Sequence, residues 1–250
     1  MRINAESNAS DIAQRIRALG SQALFAAAVS LTRAAKDAQD AERKEMMRAF
    51  DRPTAYALNG TFLKAATKQN LEARIWVKDA AGGRGTPADR FLLPEIYGGK
   101  RGQKGMERML QRAGLLPAGW FAVPAAGAQL DGNGNVKRSQ VNQILAQLQV
   151  QRTAGHESRR SNSGAARRSS ATYIALTTAT RGLKPGIYLK RKGAGGAAIQ
   201  PVFIFVSKVQ YRPRFKFTEV GEKVGMERFN VHFETEITKA FATARLGGQR

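Results

Sequence analysis

Apolar side chains recur every three to four positions over residues 10–48, at Ile12, Ile16, Leu19, Ala23, Ala26, Ala27, Leu31, Ala34, Ala35 and Ala38, with charged residues between them. That spacing predicts one long amphipathic helix. Ser10 is placed to cap it, Asp11 suits the positive end of its dipole, and Pro53 marks its stop. Its apolar face is mostly alanine, which predicts the close approach of a second helix, from this chain or from a neighbouring copy.

Beyond Pro53 the period shortens. Leu71, Ala73, Ile75 and Val77 alternate with Glu72, Arg74, Trp76 and Lys78, the pattern of a half-buried strand. Residues 79–89 are rich in Gly and Ala and read as a loop. A Gly-rich basic stretch over 97–105 leads into a short helix through Met106, Met109 and Leu110, closed by Gly114. Residues 117–130 read as irregular, anchored by Trp120, Phe121 and Val123, and residues 131–135 are a turn by composition. A second short helix follows, with Ser139 as its cap and Val141, Ile144, Leu145 and Leu148 at helical spacing. Residues 173–178, 186–191 and 199–206 have strand character and form a small antiparallel sheet, and residues 217–244 return to helical spacing.

The order of these elements predicts an α+β fold: long N- and C-terminal helices packed on a small, mainly antiparallel sheet, with a Gly-rich, basic insertion. A single domain over residues 1–250 is expected, with an insertion over 79–170 that carries the short helices and an exposed basic arm at about 155–170.

The chain carries 41 Lys and Arg against 19 Asp and Glu, a formal +22, while 42% of its residues are hydrophobic. The apolar content is that of a folding protein, so the cations belong to a globular surface that needs a polyanion or an acidic neighbour. Within the arm, Arg159, Arg160, Arg167 and Arg168 stand among serines without interleaved aromatics, which favours phosphate contact over base stacking. Lys100, Arg101 and Lys104, ahead of the helix at Met106, together with Arg84, are the other candidate contacts to DNA or to a partner.

Catalytic and metal chemistry find little support. There is no cysteine, and the two histidines, His156 and His232, lack companions at ligand spacing. The turn at Asp131 resembles the start of a calcium loop but has Val136 where Gly is required and Asn142 where a bidentate Glu belongs. Neither Gly-rich stretch has the ending of a nucleotide loop. Glu234 and Glu236 lie two apart on a helix and point to different faces, which disfavours a paired acid and base. No enzyme activity, no cofactor and no metal are expected. No secretory leader or membrane span is read, so synthesis in the cytoplasm is expected.

Two stretches carry a resemblance. Leu93-Pro94-Glu95-Ile96-Tyr97-Gly98-Gly99-Lys100-Arg101, followed by Lys104, Glu107, Arg108, Leu110 and Gly114-Leu115-Leu116-Pro117, is one of them, continuing through Asp131, Gly134-Asn135 and the helix over 140–148. The other is Tyr211-Arg212-Pro213-Arg214-Phe215 with the helix to Thr243-Ala244-Arg245. Together they resemble the minor tail protein Z and tail-completion family of tailed bacteriophages. The resemblance implies a structural virion protein of the head-to-tail junction: a neck ring subunit, made in the bacterial host, that joins portal and head-completion proteins to the tail and surrounds the DNA path. Implied partners are further copies of the chain in the ring, those virion proteins and, through phosphate contacts, the packaged double-stranded DNA; no membrane partner is implied. A free, sequence-nonspecific nucleic-acid-binding or DNA-packaging accessory protein is the alternative that the charge alone allows.

Overall fold

The computed structural model describes residues 20–80, 86–150, 171–193 and 196–247. The fold is α+β, and the chain divides into two compact units. One is built from residues 1–99 and 211–250, and the other from the intervening residues 100–210. The inserted unit therefore overlaps the expected 79–170 insertion without coinciding with it, because it also contains the main antiparallel sheet.

The discontinuous unit is organised by two long helices, α1 (Ser21–Ala49) and α6 (Phe217–Gly247). They run antiparallel. Ala23 and Ala27 pack beside Phe233 and Ile237, and Ala38 and Met46 share a core with Phe215 and Phe217. The alanine face thus finds its partner helix within the same chain. Polar contacts fix the pairing: Asp37 Oδ2 lies 2.8 Å from His232 Nε2 and 3.7 Å from Arg228 Nε, and Arg33 donates to Glu236 at 2.5 Å. His232 is accordingly a helix-pairing residue. The helical pattern from Ile12 does not run through unbroken, since Gly20, at φ +87°, stands outside helical conformation at the start of α1. Ser10 and Asp11 lie outside the described residues.

A one-turn helix α2 (Ala55–Leu58) leads into the antiparallel strands β1 (Thr61–Lys64) and β2 (Arg74–Val77), with Phe62 and Trp76 paired across the strands at 4.8 Å. Ile75 and Val77 turn inward to the core of α1 and α6. It is this two-stranded sheet that the long helices cover, whereas the strands expected at 173–206 belong to the inserted unit.

Helix α3 (Asp89–Tyr97) ends at Gly98, whose φ of +74° suits glycine. A Cβ there would stand 3.0 Å from Pro213 Cδ and 3.1 Å from the Tyr211 carbonyl oxygen. The next residue, Gly99, exchanges both backbone hydrogen bonds with Tyr211, at 3.1 and 2.8 Å. Three residues on, Arg214 reaches back to Glu95 with contacts of 2.5 and 3.0 Å, its guanidinium 5.1 Å from the centre of the Phe50 ring. The chain therefore leaves this unit and returns to it through one clasp, where the stretches around Glu95 and Arg214, 119 residues apart, meet.

The inserted unit contains α4 (Gly105–Arg112), β3 (Phe121–Pro124), α5 (Arg138–Gln147), β4 (Ala171–Leu176), β5 (Gly186–Gly193) and β6 (Gly196–Val206). Its sheet has the order β3-β6-β5-β4, antiparallel throughout. One face, with Ala122, Tyr173, Ile187, Leu189, Phe203 and Phe205, buries against Leu110 of α4 and Ile144 and Leu145 of α5. Two local expectations are corrected here. Residues 121–124 are a strand rather than irregular chain, because pairing with β6 satisfies their backbone. Ser139 lies inside the first turn of α5, whose N-cap position is Lys137.

One buried group stands out in the helical unit. Glu42 shares a face of α1 with Ala38 and Met46, is fully buried, and has no hydrogen-bond partner at either carboxylate oxygen among the described residues. Burial alone pushes its pKa up to about 9, so at neutral pH it is a protonated acid. The folded value lies above the unfolded one, so stability is fullest below the ordinary carboxylate range and is lost as pH rises toward about 9. Glu42→Gln, which mimics the protonated acid, is expected to raise the melting temperature at pH 8 and to change it little at pH 5. The gap should widen by about 1.4 kcal/mol per pH unit in between. Thermal melts of both proteins across this range check it, and a gap independent of pH would contradict the assignment.

Candidate nucleic-acid interface

Charge is divided unequally between the units. Residues 100–210 hold 18 Lys and Arg against three Asp and Glu, a net +15, while the remaining residues hold 23 against 16, a net +7. About two-thirds of the surplus thus resides in the smaller unit.

The two described acids of that unit are spent internally. Glu107 is fully buried and accepts four hydrogen bonds. Arg101 donates to its Oε1 at 2.6 Å and its Oε2 at 2.8 Å, the Lys104 backbone N–H to Oε2 at 2.6 Å, and the Ala122 backbone N–H to Oε1 at 2.9 Å. Burial would raise its pKa, but the Arg101 and backbone donors outweigh that and hold it below the ordinary carboxylate range. The contact to Lys104 is one half of a capping box: Glu107 reaches back to the N-cap N–H, while a lysine side chain has no lone pair to return the bond. Asp131 accepts from the backbone N–H groups of Asn133 and Asn135 at 2.9 Å each, and these bonds, that of Asn135 first, lower its pKa. The turn expected at 131–135 is thereby closed on its own aspartate.

The predicted contact residues separate into distinct groups. Arg101 is turned inward, held by Glu107 and packed with its guanidinium 4.9 Å from the centre of the Phe121 ring, so its role is structural. Lys100 is exposed. Lys104 presents an exposed side chain, yet crowding of its ammonium and then the Arg101 charge lower its pKa against the opposing pull of Glu107. Arg84, Arg159, Arg160, Arg167 and Arg168 lie outside the described residues.

Sequence reasoning missed other cations of the same unit. Arg108 and Arg112 follow Lys104 at steps of four on α4, and both are exposed. Lys137 and Arg138 begin α5, and Lys190 and Arg191 lie on β5 where the hairpin with β6 becomes exposed. With Arg181, Lys184 and Lys208, these make eleven exposed described cations in the unit counting Lys100 and Lys104, and none forms an ion pair among the described residues. The signal was readable as an absence, since between Arg108 and Lys208 only Asp131 and Glu157 carry negative charge.

Other chemistry finds little to build on. Among the described residues, no group of three or more His, Asp or Glu could hold a metal ion. A cleft of about 90 Å³ lined by Trp76, Asp79, Asp89, Tyr97 and Phe217 is well below the ~300 Å³ of the smallest usual ligand pockets. No helix of the described residues is long and apolar enough to cross a membrane.

No protein-family model, curated protein or solved structure matches the chain.

The Glu107 constellation predicts a division of effects. Glu107→Ala leaves Arg101 buried without its carboxylate and is expected to cost about 3–5 kcal/mol in urea unfolding, whereas Lys100→Gln stays within about 0.5 kcal/mol. Since the folded pKa of Glu107 is depressed, its contribution is complete above the ordinary carboxylate range and is lost as pH falls through the depressed value. The penalty of Glu107→Ala should accordingly shrink on acidification.

Proposed function

We propose that this chain is a structural subunit of the head-to-tail junction of a tailed bacteriophage, a neck or tail-completion protein that assembles as a ring around the DNA path. The observation that carries this reading is the division of labour between the units. One is a scaffold of two long antiparallel helices joined by ion pairs such as Arg33–Glu236 and Arg228–Asp37, and the other is a compact α+β unit whose exposed described cations form no ion pair among the described residues. A subunit of this kind keeps its shape through the first and meets a polyanion through the second. The resemblance of the Glu95 and Arg214 stretches to the tail-completion family supports the location.

On this reading the virion partners are copies of the chain, portal or head-completion proteins on one side and tail proteins on the other. The DNA passes through and is held by phosphate contact without base reading. The excess cations resist self-association until they are neutralised, which couples assembly to the presence of the polyanion. The rival, a free nucleic-acid-binding protein, draws on the same net charge but assigns no purpose to the paired long helices.

Particle composition separates the two. The chain is expected in purified particles at a fixed multiple per head, and deletion of its gene should give full heads without attached tails by negative-stain microscopy. A soluble monomer that is absent from infectious particles would overturn the proposal.

A further inference from the structure

Helix α4 has two faces of opposite character. Met106, Met109 and Leu110 pack into the core of the inserted unit, and Glu107 is sealed beneath Arg101. The other side carries Lys104, Arg108 and Arg112 at successive steps of four, all exposed and none in an ion pair among the described residues. Like charges at this spacing repel, by about 0.2–0.5 kcal/mol per pair. Only Arg112 is favoured by the helix dipole, since Lys104 stands at the positive end. The exposed face thus opposes helix stability, and a bound anion would relieve that opposition.

We propose that Lys104, Arg108 and Arg112 form a linear track for the phosphodiester backbone of double-stranded nucleic acid. Eight residues of helix separate the first from the last, a rise of about 12 Å. One strand of a duplex presents a phosphate about every 3.4 Å along its axis, so three to four phosphates lie within reach of the three cations. The face offers no aromatic or aliphatic anchor between the charges, and such an anchor is what a protein partner would use. Arg108 also donates to the Gln103 carbonyl at 3.3 Å, which steadies it over the start of the helix. Arg101 does not join the track. By holding Glu107 it removes the one acidic residue of α4 from the exposed side.

The proposal deepens the reading of the chain as a DNA-surrounding subunit and rests on it. Its test uses the full-length chain and a mixed-sequence DNA duplex across a salt series. Lys104→Gln, Arg108→Gln and Arg112→Gln together are expected to reduce the slope of log affinity against log salt by about 2.7, with no change in sequence preference. A control triple of equal charge loss, Arg181→Gln, Lys184→Gln and Lys208→Gln, is expected to change the slope by less than one. Equal effects of the two triples would overturn the track in favour of diffuse charge, and an unchanged slope in the first triple would overturn it outright. Loss of binding to polyglutamate without loss of binding to DNA would assign the face to an acidic protein instead and would also overturn it. Circular dichroism and melting of each triple confirm that the fold is retained. Particle incorporation of the first triple is scored in parallel. A chain absent from particles whatever its sequence sinks the junction reading, whereas an incorporated triple with an unchanged slope sinks the track alone.

Discussion

A carboxylate sealed in a protein interior must find donors or take up a proton, and Glu107 finds donors. Four hydrogen bonds tie it to Arg101, to the first turn of α4 and to strand β3, so a single side chain joins three segments that also share the core of the inserted unit. The same bonds have a consequence at the surface. They draw inward one of the two described acids of residues 100–210, and the other, Asp131, is occupied by its own turn. Among the described residues of the inserted unit, the exposed charges are therefore cationic apart from Asp131.

The helical unit answers the same constraint in the opposite way. Glu42 lies between Ala38 and Met46 with no donor in reach among the described residues, and it holds a proton instead. Around it, α1 and α6 are held by alanine packing and by a row of polar contacts from Arg33–Glu236 to Asp37–His232. The clasp of Gly99 with Tyr211, reinforced by Arg214 on Glu95, sets both crossings of the chain side by side.

Much of this was legible in the residues. The two long helices, strand β2 and the strands β4 to β6 follow from hydrophobic period, because each is long or regular enough for its buried face to repeat. Strand β3 was not legible: it has four residues, Val123 and Pro124 are exposed, and only its pairing with the distant β6 makes it a strand. The membership of the larger sheet in the inserted unit is likewise a long-range fact that periodicity does not carry. Arg101 read as a surface cation because a Gly-rich basic stretch resembles a solvated loop. The clue lay three residues beyond Lys104, where a glutamate at the third helical position tends to turn back toward the helix start. The Glu42 anomaly was visible as well, as a charge on the same helical face as Ala38 and Met46.

About two-thirds of the net positive charge lies in the inserted α+β unit, and the proposed function makes that unit the one that meets a polyanion. Hydrogen–deuterium exchange of the full chain, with and without a DNA duplex at moderate salt, tests this most directly. The account predicts protection concentrated in residues 100–210, strongest along α4, with α1 and α6 unchanged. Protection centred on the long helices, or none anywhere, would contradict it.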